Sequence, residues 1–398
     1  MYQNNIAVPK PESDRKNQIT RYFQKERNMI STGIHSFDRA LHGGLSNDLY
    51  ILGAETSTGK SAFMQALAEA AAGSGIHVLY FALEMSRQEF VARGTASVWF
   101  QVHGYQTGKD SITVSDILYP KYDKSTGVFI QTPYDLYEKE MDLWFERYGS
   151  CMHIIEPELN GISAKEIAET VTRFREKQRE TGDFRPVMVF IDYLQILKAD
   201  PSEKNQSDRK TKMDTAVTML KTLAFKEQVP VIAASSVGRT NYGKTISTAS
   251  YKESGDVEYT GGILLGWNWS GVTDAKNEAE RSRVIVECKE KGYREMCLEI
   301  LKYRNAEKDQ KIRLFYYPAY NFFSEENVFG KGGKTGLVSD DLHISGFSQG
   351  QKEKSDSAEK TKENKKILNR KKGVKKQNGY LDPERENAEQ VRRESGKE

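Results

Sequence analysis

The sequence has no apolar run near the roughly 18 to 20 residues that a membrane-crossing helix needs, and Met1 to Arg27 is polar, without the apolar centre of a secretory signal. These absences point to a cytoplasmic protein with no membrane partner. Cysteine is scarce: Cys151, Cys288 and Cys297 stand far apart with no CxxC pair, and none of the six histidines falls in an HExxH pattern. No disulfide framework or zinc site can be read from them, and they read as small core residues. No period of 20 to 50 residues stands out, which disfavours a solenoid or propeller. Helix-turn-helix and zinc-finger spacings are missing too, so sequence-specific reading of DNA is not implied.

Hydrophobic side chains make up only 37% of the 398 residues against 29% charged, with a mean hydropathy of -0.67. That is wetter than an ordinary globular chain. The deficit is concentrated at the ends. From Gly346 onward large apolar residues nearly vanish, and such a stretch cannot bury enough surface to offset the entropy of ordering, so 346–398 is expected to be a disordered tail. Residues 351–398 carry 15 Lys and Arg against 10 Asp and Glu, which leaves 44 against 46 for the rest of a chain of net charge +3. Within the tail, Lys360 to Lys376 holds nine bases and one acid. Such a run suits contact with nucleic acid, although a solvated extension is its more frequent meaning. In the polar arm 1–28, Ile19, Tyr22 and Phe23 form one narrow stripe on a candidate linker helix over Ser13 to Arg27, which needs a partner surface.

Between these ends, from 29 to 345, short runs rich in β-branched and aromatic residues alternate with amphipathic segments. Leu49 to Leu52, Val78 to Leu83, Met152 to Ile155, Val187 to Ile191 and Val231 to Ala234 read as buried parallel strands. Ser61 to Ala72, Ser163 to Glu180 and Lys212 to Lys226 read as the helices between them. The alternation implies an α/β fold with a mostly parallel central sheet flanked by helices. Ile263 to Trp267, Arg283 to Glu287, Met296 to Tyr303 and Ile312 to Tyr316 read as later strands added as hairpins.

The run Ala54-Glu55-Thr56-Ser57-Thr58-Gly59-Lys60-Ser61 follows an apolar strand and opens an amphipathic helix, the context that a phosphate-binding loop requires. Amides at the helix start can cradle phosphates, Lys60 can reach between the β and γ groups of ATP, and the Ser61 hydroxyl can hold Mg²⁺. Ala54 stands where the usual pattern has its first glycine, with Gly53 one place earlier. The strand Val187-Met-Val-Phe-Ile-Asp192 ends on the carboxylate that a magnesium water shell needs. Glu84, at the end of another strand, is placed to polarise the attacking water. A GxGxxG loop is absent, which disfavours a dinucleotide-binding dehydrogenase.

Taken with Ser31-Thr-Gly-Ile-His-Ser-Phe-Asp-Arg-Ala-Leu-His-Gly-Gly44, Ala82-Leu-Glu84-Met85-Ser86 and Ile191-Asp192-Tyr193-Leu194-Gln195, this loop resembles the RecA-like ATPase domain of DnaB-type replicative DNA helicases. The resemblance extends in order over about residues 29 to 325. It implies Glu84 as catalytic base, residues 54 to 61 with Asp192 and Gln195 as the nucleotide site, and Ser61 with Asp192 at Mg²⁺. It further implies that Lys302 and Arg304, in Lys302-Tyr-Arg304-Asn305, act on the neighbouring subunit's nucleotide. Lys252-Glu253-Ser254-Gly255 resembles the segment flanking that family's DNA loops. Arg239, Lys244 and Lys252, set among Gly, Ser, Thr and Asn in Gly238 to Lys252, suit a loop that grips phosphates without reading bases.

Three departures stand out. Ser235-Ser236-Val237-Gly238-Arg239 lacks the glutamine with which the family senses the γ-phosphate, so coupling between ATP and DNA is expected to differ. The 28 residues before the ATPase domain have no room for the family's globular N-terminal domain. The polar segment Gly271 to Ser282 has no counterpart in this reading. The resemblance implies a ring, read as a hexamer, that moves along single-stranded DNA and opens a forked duplex during replication, with a loader or primase as partners. Two alternatives stay open: a replication accessory or loader of a phage or mobile element that binds DNA and ATP without robust unwinding, and a nucleotide-gated assembly module without turnover.

Overall fold

In the computed structural model of the chain, the alternating strands and helices are joined through a nine-stranded sheet. The structure describes residues 29–329 apart from 104–111, 120, 123–124, 127–128, 132, 158–160, 200–208, 239–241, 255–261 and 304–309, together with the isolated positions 16 and 20. The expected linker helix and basic tail therefore lie outside the described residues, but for positions 16 and 20.

Strands β1 (Leu49–Ala54), β2 (His77–Ala82), β5 (Met152–Ile155), β6 (Val187–Asp192), β7 (Val231–Ser236) and β8 (Ile263–Trp269) run parallel, and β9 (Arg294–Lys302), β10 (Gln310–Tyr317) and β11 (Phe322–Ser324) extend the sheet as antiparallel hairpins. The order is β11-β10-β9-β8-β1-β7-β6-β2-β5, with a separate ribbon of β3 (Lys121–Tyr122) and β4 (Phe129–Gln131). Every residue of β1, β2 and β6 is buried, as expected of strands covered on both faces.

The two faces follow from the period of two along each strand. Tyr50 and Leu52 enter one core with Phe63, Met64 and Leu67 of α2 (Lys60–Gly73). Leu49 and Ile51 enter the other with Ile167 and Val171 of α6 (Ala164–Thr181) and Val217 and Leu220 of α7 (Arg209–Glu227). A reciprocal cap of Ser163 and Glu166 fixes the start of α6, and Gly182, at φ 71°, ends it. The shorter helices α1 (His35–Ala40) and α4 (Val114–Leu118) precede β1 and β3, while α3 (Arg87–His103) and α5 (Pro133–Trp144) pack together beside α2. Among the described residues no helix is long and apolar enough to cross a membrane.

A buried polar knot joins α2 to α3 and α5. The Glu69 carboxylate accepts hydrogen bonds at Oε1 from Trp144 Nε1 at 2.9 Å and Gln65 Nε2 at 2.8 Å, and Gln65 also donates to the Phe90 carbonyl. Burial pushes the Glu69 carboxyl up to about 7. A Cβ at Gly94 would collide with the Trp144 indole and the Glu69 carboxylate, so only glycine fits where α3 crosses the knot.

One expectation fails. Arg283 to Glu287 is not a strand but the centre of α8 (Glu278–Lys291). Its β-branched run favours a strand locally, yet Asn277 caps the helix by accepting from the Glu280 amide and Gly292, at φ 74°, terminates it. Glu287 meets both Arg283 and Lys291 one turn away, which adds helical pairing along the surface. The segment Gly271 to Ser282 thereby becomes the lead into a surface helix together with that helix's first turn.

Candidate active site

The phosphate loop occupies the carboxyl edge of the sheet, between β1 and α2. Two of its carbonyls are held from outside, Thr58 O by Trp267 Nε1 at 3.1 Å and Ser57 O by Arg294 Nη1 at 3.1 Å, and one from within, Glu55 O by the Thr58 hydroxyl at 2.8 Å. Helix geometry leaves the first amides of α2 without intrahelical partners, so they are free to face an anion. Gly59 adopts φ 90° and a Cβ there would lie 2.7 Å from the Tyr316 ring, so glycine is required on both counts.

Lys60 and Asp192 meet at this edge. The Lys60 ammonium donates to Ser236 Oγ at 3.1 Å and lies 4.8 Å from the centre of the Tyr193 ring. Burial lowers its pKa, while the charges of Asp192 and Glu84 oppose that shift. Asp192 closes β6 and is 1% exposed. Burial raises its pKa, against the pull of the Ser61 hydroxyl, the Lys60 ammonium and the Tyr80 hydroxyl. Its Oδ1 is buried without a hydrogen-bond partner. An orphaned carboxylate oxygen near a serine hydroxyl is a hard oxygen set that fits Mg²⁺ or its water shell, so Ser61 and Asp192 are the residues that would hold the metal.

Glu84 is exposed just beyond β2, close enough for its charge to act on Lys60. Gln195 is tied to the end of β7 by three hydrogen bonds. Its Nε2 donates to Ser235 Oγ at 2.9 Å and Ser236 O at 3.1 Å, and its Oε1 accepts from the Ser236 amide at 3.1 Å. It therefore fixes the tip of β7, and through it the hydroxyl on which Lys60 rests.

Lys302 ends β9 opposite Leu264, which pairs with Ile51 near the start of β1, so it sits at the edge of the sheet away from its own phosphate loop. Arg304, Arg239 and Gly255 lie outside the described residues. Lys252, Glu253 and Ser254 belong to a 3-10 turn, Thr248–Ser254, anchored by Tyr251, whose hydroxyl donates to Leu265 O at 2.7 Å. Lys244 is exposed and borders a cavity of about 130 Å³ against the phosphate loop. Sequence reasoning missed Arg294, whose guanidinium stacks 4.4 Å from the Trp269 ring while gripping the loop. The signal was the alternation of Trp267 and Trp269 toward the end of β8.

A phosphate loop after the first strand, an aspartate ending β6 and this strand order define a RecA-like nucleotide-binding fold. The family model described as "DnaB-like helicase C terminal domain" matches residues 29–126 and 139–325, and the chain belongs to that family. It is 29% identical over 241 residues to the replicative DNA helicase DnaB of Pasteurella multocida, covering 59% of this chain and 45% of that one. It is 27% identical over 241 residues to the replicative DNA helicase DnaC of Bacillus subtilis, covering 59% of this chain and 46% of that one. The chain thus spans about half the length of the curated relatives it matches. A solved ATPase domain superposes with a TM-score of 0.59 at 19% identity, over 79% of this chain and 99% of that one. A DnaB-like replicative helicase studied with primase superposes with a TM-score of 0.57 at 20% identity, over 80% of this chain and 68% of that one. At those identities the two structures establish the fold, in agreement with the sequence pattern.

Proposed function

We propose that the chain is the motor of an ATP-dependent DNA helicase, which assembles with copies of itself into a ring, read as a hexamer, and moves on single-stranded DNA to open a forked duplex. The observation that carries this reading is the convergence of Lys60, Asp192 and Glu84 on the carboxyl edge of the sheet beside the phosphate loop. Lys60 leaves Ser236 to neutralise the β and γ phosphates of ATP, and Glu84 orients the attacking water. Ser61 and Asp192 would hold Mg²⁺, which would supply charge neutralisation to the same phosphates. No covalent intermediate is needed, because phosphoryl transfer is accelerated mainly by positioning and charge.

Lys302 and Arg304 complete a neighbour's site in this reading. The position of Lys302, at the edge of the sheet away from its own loop, supports action between subunits. Arg239, Lys244 and the Lys252 to Gly255 segment contact DNA phosphates, and the basic tail adds to them. A primase or loader is the expected macromolecular partner, and the cytoplasm the expected compartment. One observation favours a second reading, an accessory ATPase without robust unwinding: Lys60 rests on the short hydroxyl of Ser236, where the family's sensor glutamine is expected. Unwinding of a labelled forked duplex with Mg²⁺, with and without ATP, decides between them. ATP-dependent strand separation supports the helicase; ATP hydrolysis and DNA binding without separation support the accessory.

A further inference from the structure

Glu55 lies in the phosphate loop, and its carboxylate is held at a junction of three chain segments. Its Oε1 accepts the Gly243 amide, and Arg281 of α8 donates through Nη2 to its Oε2 at 3.4 Å. The pair is largely sheltered, with 24% of the Arg281 side chain and 13% of the Glu55 side chain exposed. Gly243 has φ +75°, and a Cβ there would collide with the Arg281 guanidinium, so the absence of a side chain lets that group lie flat against the loop. A second tie runs parallel to the first, from the Thr56 hydroxyl to the Tyr242 hydroxyl at 3.2 Å. Lys244, next along the same segment, borders the cavity that Glu55 and Arg281 also line.

Helix α8 buries none of its own residues in the core. Among the described residues, its grip on the phosphate loop is Arg281. We propose that Arg281 is a positioning residue that, through Glu55, couples the phosphate loop to the segment around Gly243 and Lys244, so that ATP and single-stranded DNA strengthen each other's binding. The assignment rests on the reading of Gly238 to Lys252 as a DNA contact. When the loop closes on phosphates, Glu55 moves with it and draws the Gly243 backbone and the Arg281 guanidinium along. Lys244 is thereby aimed from the nucleotide side. Linkage makes the coupling reciprocal: the factor by which ATP tightens DNA binding equals the factor by which DNA tightens ATP binding.

The test uses the full chain and its Arg281→Ala and Arg281→Lys variants. Affinity for a single-stranded oligonucleotide is measured with and without a non-hydrolysable ATP analogue and Mg²⁺, alongside ATP turnover without DNA. The analogue should tighten DNA binding by the native protein, and Arg281→Ala should lose about fivefold or more of that tightening. Arg281→Lys should recover part of it, and all three proteins should hydrolyse ATP alike without DNA. Full retention of the tightening in Arg281→Ala overturns the proposal, as does a loss confined to DNA-free turnover. Native protein that neither hydrolyses ATP nor binds the oligonucleotide refutes the helicase reading instead. Hydrogen exchange then judges the junction by itself: the analogue should slow exchange over Tyr242 to Ser247 in the native chain and not in Arg281→Ala, and equal slowing in both sinks it.

Discussion

Glu69 should make the stability of this domain fall as pH rises through neutrality. The residue is 6% exposed and both donors to its carboxylate, Trp144 Nε1 and Gln65 Nε2, converge on one oxygen, Oε1. Burial holds its pKa at about 7, against an ordinary 4.5. Between those values the folded protein keeps a proton that the unfolded chain has released. The unfolded state then binds fewer protons, so unfolding becomes easier with each step of pH across the window and the cost is complete just above it. At 1.36 kcal/mol per pH unit, the interval corresponds to about 3 kcal/mol. Glu69→Gln keeps an acceptor at the same place and removes the ionisation. Its urea midpoint should therefore match that of the native chain near pH 4.5 and exceed it at pH 8.5, with a difference in Tm of roughly 5 °C for a domain of this size. Parallel pH profiles for the two proteins would refute the reasoning.

The chemistry and the assembly are open to equally direct checks. Lys60→Ala should abolish ATP turnover and weaken nucleotide binding, whereas Glu84→Gln should bind ATP with near-native affinity and hydrolyse it about 10² to 10⁴ times more slowly; native turnover in Glu84→Gln would remove that residue from the base role. Mixing inactive Lys60→Ala with inactive Arg304→Ala under subunit exchange should restore partial hydrolysis, because some interfaces then pair an intact loop with an intact arginine; no recovery in mixed rings confirmed by native mass would mean that Arg304 does not act on a neighbour. Deleting residues 351–398 should weaken DNA binding and flatten its salt dependence without changing DNA-free turnover, and an unchanged salt slope would leave the tail a solvated extension.

The strands are legible in the sequence wherever both faces are covered. β1, β6 and β7 each run only one or two residues beyond their expected ends, because a run buried on both faces needs no alternation to stand out; Met152 to Ile155 matches its edge strand to the residue although only Met152 is buried there. The same cue misleads at Arg283 to Glu287, where Val284, Ile285 and Val286 are β-branched but α8 has no buried residue. Residue type alone does not secure burial there, and the cap at Asn277 and the stop at Gly292 are the stronger local signals. Helix α3 is hidden for the opposite reason. Phe90, Ala92, Thr95, Ala96, Val98 and Trp99 are all buried, so it shows no polar face to mark a helical period.

The difference between the legible and the hidden parts of the site is a difference in sequence distance. A phosphate loop is read from eight consecutive residues because backbone amides make the site, and the strand before it and the helix after it are the local means of aiming them. The aspartate is nearly as local, since a strand that ends on a carboxylate carries it to the same edge as its neighbours. Glu55, by contrast, acts on a glycine 188 positions away and an arginine 226 positions away. Neither partner has a distinctive residue type or spacing, and each reaches the loop only because β7 and β8 flank β1 in the sheet. Catalytic groups are thus announced by the elements that present them, while a group that relays position between segments becomes visible only after the sheet has set those segments side by side.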